Sequence, residues 1–371
     1  MKLIYLVPSL AMVAAAMPSL TASEISVGND VKLRVGLRLQ SRVEFADVSN
    51  AAGDDASLSG TATDDADQFN MYLRRVRFGV SGSYQDDTRF NLTLMRDNLG
   101  RLTGESNNNM TADFAVRYAW VSHAVKSDDM THTFKFGLDK PFFCAGDIDS
   151  SSRMLFPTNR VASALSGPRR IGLSYVMTHP MVKLGVDLQD ANGNALWFSA
   201  RAETSLNEEW KMRRTESMLG KEGFGHVLGI EVGLRTDDDG NDDTDFVQFG
   251  IDYNVHFNNI TANADFVMRT WGDSDIDDQM IFSVQGGYAI PLESGHVVEP
   301  ALRLSYIDFG DDDPTGLPSF EAVNSGFQVD AGLNYYIKGH NNKLNFAVTH
   351  WSADKGDADK TIVRLQHQLN F

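Results

Sequence analysis

The run that ends the chain constrains its fold most. Val363, Leu365, His367, Leu369 and Phe371 alternate with Ile362, Arg364, Gln366, Gln368 and Asn370. Successive side chains on a strand point to opposite faces, so one face of this strand is mostly apolar and the other polar. The stretch from Val31 to Phe45 repeats the pattern at greater length. Val31, Leu33, Val35, Leu37, Leu39, Val43 and Phe45 fall on one face, and Lys32, Arg34, Arg38, Gln40, Arg42 and Glu44 on the other. A soluble sandwich rarely needs so long an alternation, whereas strands of outer-membrane barrels cross the bilayer in about ten residues and often project beyond it. A closing strand that ends on an aromatic residue fits the same class.

The opening residues agree. MKLIYLVPSLAMVAAAMPSLTAS has one lysine, Lys2, an apolar stretch from Leu3 to Ala16 and small residues at Ala22 and Ser23. It reads as a signal peptide over residues 1–22, cleaved after Ala22 or Ser23, ahead of one barrel domain over residues 23–371. No later run of eighteen apolar residues could form a transmembrane helix. The mean hydropathy of -0.27 is compatible with a barrel that hides its lipid face in alternate positions. The single cysteine, Cys144, excludes an internal disulfide. A formal net charge of -17 argues against nucleic acid as a partner.

Further alternating runs follow. Tyr72, Val76, Phe78, Val80 and Tyr84 oppose Arg75, Arg77, Ser81 and Ser83. Phe114, Val116, Tyr118 and Trp120 oppose Asp113, Arg117 and His123, and Phe134, Phe136 and Leu138 oppose Lys135 and Asp139. Others occupy residues 247–257, 260–268, 280–290, 327–337 and 344–348. Short turns at 85–88 and 339–342 alternate with long polar segments at 47–68, 98–111, 141–167, 310–324 and 352–360. Short periplasmic turns opposite long extracellular loops are the outer-membrane arrangement, and it requires an even strand number. Seventeen candidates break that parity. The weakest is 210–217, where Lys211, Arg213, Arg214 and Glu216 spoil a lipid face, so it becomes part of a longer periplasmic connection between residues 206 and 223. The expectation is an all-β, transmembrane antiparallel barrel of about sixteen strands, wide enough for an aqueous lumen.

Three stretches resemble the phosphate-selective porin O and P family: Leu73-Arg74-Arg75-Val76-Arg77-Phe78-Gly79-Val80-Ser81-Gly82, Phe136-Gly137-Leu138-Asp139-Lys140-Pro141-Phe142 and Gly332-Leu333-Asn334-Tyr335-Tyr336-Ile337. The first resembles the family's strand with paired arginines, the second its strand entering the long inward loop, the third its penultimate hairpin. The resemblance implies a homotrimeric porin whose third loop folds inward and narrows the channel.

Selectivity in a wide pore depends on the charge of the lumen wall. Lys32, Arg34, Arg38 and Arg42 share the polar face of their strand, spaced about 7 Å per two residues. Arg75, Arg77, Arg117 and Lys135 extend this row onto neighbouring strands as a candidate anion path. The third loop and its flanks add Lys140, Arg153, Arg160, Arg169 and Arg170. Guanidinium groups stay charged and offer forked donors that suit phosphate and carboxylate. Asp139, Asp187, Glu203, Glu231, Asp252, Asp265, Glu299 and Asp330 also face inward, so the competing reading is a lattice of ion pairs that holds the wall.

Acidic runs at 237–243, 273–278 and 311–313 read as solvated loops, able to hold cations that bridge to lipopolysaccharide. Tyr72, Tyr84, Trp120, Trp271, Tyr288 and Tyr335 read as interfacial girdles. Cys144 reads as an inert loop residue. The histidines form no metal spacing, no serine has an organised histidine and acid partner, and no cofactor motif is present. The expectation is therefore a non-enzymatic outer-membrane porin in contact with lipid and lipopolysaccharide, passing small anions such as phosphate. The alternative is a structural or adhesive barrel with little pore activity.

Overall fold

Alternation of this length produces a closed cylinder. The computed structural model describes residues 24–28, 30–49, 68–101, 113–148, 150–191, 195–205, 215–236, 245–272, 277–309, 325–354 and 359–371. In chain order the strands are β1 (Glu24–Val27), β2 (Val31–Ser49), β3 (Gln68–Tyr84), β4 (Thr88–Leu99), β5 (Ala115–Ser127), β6 (Met130–Asp139), β7 (Arg170–Thr178), β8 (Val182–Asp190), β9 (Leu196–Thr204), β10 (Phe224–Thr236), β11 (Phe246–Phe257), β12 (Ile260–Trp271), β13 (Gln279–Tyr288), β14 (Ile290–Pro291), β15 (Val297–Asp308), β16 (Gly326–Lys338), β17 (Asn342–Ala353) and β18 (Asp359–Asn370). β1 folds back antiparallel on the start of β2, and β14 continues β13 along the start of β15. The other sixteen form the wall, as expected. Each is antiparallel to the next, and β18 closes on β2 with Asp359 opposite Ser49 and Asn370 opposite Arg38.

The two rims differ. Tight connections at 85–87, 128–129, 179–181, 258–259 and 339–341 lie at one, and the connections at the other include 140–169. The proposed signal peptide lies outside the described residues, as do most of the acidic runs. Burial is inverted relative to a water-soluble core: Leu173 is 63% exposed and Ile171 56%, while Gln40, Asp330 and Asn334 are at 0%. An apolar exterior around polar contents is what a barrel in hydrocarbon requires.

Two bulges change which side chains face in. Gln40 pairs with Arg75 and Ser41 with Leu73, so Arg74 is the extra residue on β3. Thr93 pairs with Tyr118 and Leu94 with Val116, so Arg117 is extra on β5. A bulge adds one residue to one strand and inverts the alternation beyond it. Tyr72 therefore lies buried inside, donating to Glu44 at 3.3 Å, rather than on the lipid face. Tyr118 and Trp120 likewise line interior space, while Val121 stands outside. Of the expected girdle, Tyr84 and Tyr288 are exposed on the outside and Tyr335 is outside against His296. Trp271 packs inward on Phe246.

Candidate functional site

Polar inner walls on sixteen strands would leave a broad hole, but two segments enter it. The connection between β6 and β7, residues 140–169, runs through the lumen. One helical turn (Ala145–Ile148) and a 3-10 segment (Val161–Leu165) give it shape. Its apolar residues Phe143, Val161, Ala162 and Leu165 cluster with Val267, Ile281, Ile307 and Trp351, which break the polar-inward rule on β12, β13, β15 and β17. Farther along, Leu155 and Phe156 pack on Ala347. Polar wall residues hold the loop backbone: Lys343 Nζ donates to Met154 O at 2.6 Å, Arg303 to Asn159 O at 3.0 Å and Arg269 to Leu165 O at 3.1 Å.

The second segment comes from the opposite rim. The residues from Thr215 onward, before β10, lie inside the barrel, with Thr215, Glu216 and Ser217 buried. Glu216 accepts from Leu155 N at 2.8 Å, sits 3.2 Å from Arg160, and gives its own N–H to Arg153 O at 3.1 Å. Ser217 Oγ donates to Glu299, and His340 Nε2 sits 3.0 Å from Ser217 O. The two segments thus lock to each other and to the wall formed by β12–β18. Inner residues there, among them Gln285, Ser305, Asn334 and Thr349, are at most 2% exposed.

Open space remains along β2–β6. A cavity of about 450 Å³ is lined by Arg34, Arg38, Arg77, Arg117, Tyr118 and Ser151 among others. It shares Asn91 and Tyr118 with a 270 Å³ cavity that reaches Trp120, Lys135, Asp139 and Lys140. It shares Arg38, Ser150 and Asn370 with a third, of about 400 Å³, at the short-turn rim. Gly36 and Gly79, paired across β2 and β3, form part of the first cavity's wall where larger side chains would fill it.

The candidate residues divide by partner. Lys32 is exposed at the rim, 3.1 Å from Asp86. Arg34 lines the first cavity. Arg38 donates to Ser151 Oγ at 2.8 Å, Ser152 Oγ at 3.3 Å, Ser150 Oγ at 3.4 Å and Asn370 at 3.3 Å, all neutral. Arg117 lies over the Tyr118 ring at 5.4 Å and near Met95 Sδ, and Arg169 lies over the same ring at 5.0 Å with a 3.3 Å bond to its hydroxyl. Arg77 pairs with Asp97 at 2.7 Å while also reaching Ser151. Lys135 pairs with Asp139 beside the rings of Trp120 and Phe142.

Arg42 and Arg75 face inward as their alternation requires, but the loop covers them. Arg42 bonds Gln366 and Pro157 O, and Arg75 bonds Gln40 and Asn159. Arg160, 1% exposed, is clamped between Glu216 and Asp265, so it fastens the loop. Arg153 is exposed in the third cavity, and Arg170 begins β7 opposite Asp139. Elsewhere the ion-pair lattice prevails: Arg201 holds Glu203, Glu231 and Asp252, Arg303 holds Asp330, and Arg364 holds Glu44. Alternation alone could not separate these groups, because an arginine under a loop and one in water have the same spacing. Lys221 and His340, which line the third cavity, had no sequence signal beyond their charge.

Comparison with known proteins places this geometry. The family model for phosphate-selective porin O and P matches residues 48–268. An uncharacterized protein of Aquifex aeolicus is 24% identical over 383 residues, covering 91% of this chain and 87% of its own. Among solved structures, the outer-membrane channel DcaP of Acinetobacter baumannii is similar at a TM-score of 0.56 and 13% identity, over 94% of this chain and all of that one. OmpF of Salmonella typhi, solved with daunomycin, is similar at 0.56 and 16%, with the same coverage. These likenesses are of fold.

Proposed function

The chain belongs to the phosphate-selective porin O and P family, and from that premise we propose that this outer-membrane channel passes small hydrophilic anions, of phosphate type, by passive diffusion. The path follows the three joined cavities along β2–β6, over Lys135, Lys140, Arg117, Arg77, Arg34 and Arg38. One observation carries the preference: Arg38 and Arg117 are held by hydroxyls, an amide, a thioether and an aromatic ring rather than by carboxylates. Neutral partners fix a guanidinium in place without cancelling its field. An anion can then exchange donors from one group to the next, and several weak sites let it leave. Tyr118, between Arg117 and Arg169, stands where the first two cavities meet.

The reading includes export through the residue 1–22 signal peptide, insertion among lipid and lipopolysaccharide with the short turns periplasmic, and assembly as a homotrimer. The closed half of the bore favours a second reading, a structural or adhesive barrel that conducts little. Liposome swelling separates the two, since a plugged barrel admits no sugar.

The anion preference is tested by Arg38→Gln with Arg117→Gln in a planar bilayer under a KCl gradient. A unit charge at contact distance is worth about 1 kcal/mol even in water, so anion-over-cation preference should fall several-fold and the zero-current potential move toward that of potassium. An unchanged potential would remove the anion path and leave the porin intact.

A further inference from the structure

The histidines are unevenly placed along the barrel axis. Of the nine, eight sit toward the short-turn rim and His350 alone sits toward the other. Among those on the outer face, His123 is in line with the exposed Val121 and Val125, His132 with Phe134, and His296 with Leu302. Each of the three is built in the same way. A hydroxyl of the adjoining strand meets Nδ1: Thr88 Oγ1 at 3.0 Å for His123, the Tyr175 hydroxyl at 2.7 Å for His132 and the Tyr335 hydroxyl at 2.5 Å for His296. Tyr175 also stacks on His132 at 6.1 Å and packs on Phe134 at 5.3 Å, which fixes the direction of the imidazole. Nε2 of these rings has no hydrogen-bond partner among the described residues. With Nδ1 accepting from the hydroxyl, Nε2 carries the hydrogen and is a donor where the apolar wall meets the headgroups. His226 faces outward too, but it packs on the Phe224 and Tyr253 rings with no hydroxyl on its nitrogens.

Acids stand one step nearer the water. Asp128 and Asp129 form the turn between β5 and β6, the strands that carry His123 and His132. Glu293 lies in the turn before β15, closed by Leu292 N donating to His296 O at 2.8 Å. All three acids are exposed and make no ion pair among the described residues. Other acids of this rim are engaged, Asp86 by Lys32 at 3.1 Å and Asp87 by Lys126 at 3.9 Å. Lys338 ends β16 three residues beyond Tyr335 and can serve the same ligand as His296.

We propose that the clusters at the β5–β6 turn and at the turn before β15 each bind the headgroup of an aminophospholipid. Its phosphate would accept from the imidazole donors, and its ammonium would meet the turn carboxylates. The order of groups along the wall carries the choice of lipid. Donors lie next to hydrocarbon and acids next to water, and in phosphoethanolamine the phosphate is joined to the glycerol with the ammonium beyond it. Hydrogen bonds to either charged end are the stronger kind. An anionic headgroup without an amine would meet the donors but be repelled by Asp128, Asp129 and Glu293. A quaternary ammonium has no N–H to give them. The inference rests on the outer-membrane reading of the barrel and is independent of the anion path.

The test offers the full-length barrel, in detergent, equal amounts of phosphatidylethanolamine, phosphatidylcholine and phosphatidylglycerol with identical acyl chains. Native mass spectrometry counts the lipids retained. The native barrel should keep phosphatidylethanolamine about fivefold better than either of the others. His132→Phe with His296→Phe keeps the rings and removes the donors, and should lower that retention about fivefold. Asp128→Asn with Asp129→Asn and Glu293→Gln should abolish the preference over phosphatidylcholine and leave phosphatidylcholine retention unchanged. The two histidines are on separate parts of the wall, so either single variant secures the test if the double variant does not fold, as heat-modified gel migration reports. Equal retention of the three lipids by the native barrel would overturn the inference. So would a native preference that none of these variants moves, the result expected if a second copy of the chain covers this face. A native barrel that does not enter lipid vesicles at all would instead overturn the outer-membrane reading.

Discussion

Arg74 and Arg117 are each the extra residue in a bulge, and each bulge turns a neighbouring tyrosine into the lumen. Strict alternation assigned Tyr72 and Trp120 to the lipid. The Arg74-Arg75 doublet was the available sign that the period fails, since two adjacent guanidinium groups cannot both avoid hydrocarbon on a regular strand. Beside the second bulge, Gly137 has φ +134, and a Cβ there would lie 2.2 Å from Ala119 O and 2.6 Å from Trp120 Cα. Gly137→Ala should therefore part β5 from β6 locally and cost about 1–3 kcal/mol in backbone strain alone. A lower urea midpoint for the folded barrel in detergent, with Gly286→Ala as the milder comparison, checks this.

His340 has a second consequence at this scale. Burial, with Lys343 close by, pushes its imidazole down to about 3, so it is neutral in the folded barrel. An unfolded histidine takes a proton near 6.5. Between these values the unfolded state binds more protons than the folded one, so stability falls as the pH drops through that window and is fully present above it. The contacts of His340 with Ser217 O and Thr215 should loosen between pH 7 and pH 5. Increased open-channel noise on acidification, absent in His340→Gln, is the expected result.

Between residue and barrel, the decisive elements are the two inward segments. The sequence marked 141–167 as a long polar connection and the family resemblance implied that it turns inward. What it packs against was written in the strands as well. Val267-Met268, Ile281-Phe282 and Tyr306-Ile307 are adjacent apolar pairs, and one member of each must face the lumen. Each pair therefore reports a covered wall. The segment before β10 was recognised as a non-strand, but its inward course depends on Glu216, one carboxylate among many until Arg160 and Leu155 N meet it. Glu216→Ala would take the acceptor from Leu155 N and leave Arg160 with Asp265 alone. Removing one partner of a buried ion pair costs about 3–5 kcal/mol, so single-channel conductance and noise should both rise as the segments separate. Native conductance in this variant would show that the lock does not set the bore.

At the scale of the whole molecule, the barrel was the most legible feature, because hydrocarbon outside and water inside impose one rule on every strand. Strand number followed from parity once residues 210–217 were set aside. The asymmetry of the lumen was not legible: arginines on β2, β3 and β5 have the same spacing as those on β15 and β18. Only the loop's route leaves Arg38 at open space and buries Arg303 and Arg364. The net charge of -17 likewise misstates the path, whose third cavity carries cations without a lining carboxylate among the described residues.

The central claim is that solutes travel along β2–β6 while the wall of β12–β18 is sealed. Single cysteines at Thr93, in the first cavity, and at Ser305, 1% exposed beneath the loop, test it during recordings with a charged methanethiosulfonate. The unsubstituted protein, whose buried Cys144 should not react, is the control. Stepwise loss of current with Thr93→Cys and none with Ser305→Cys is the predicted result. Comparable modification at both positions would contradict it.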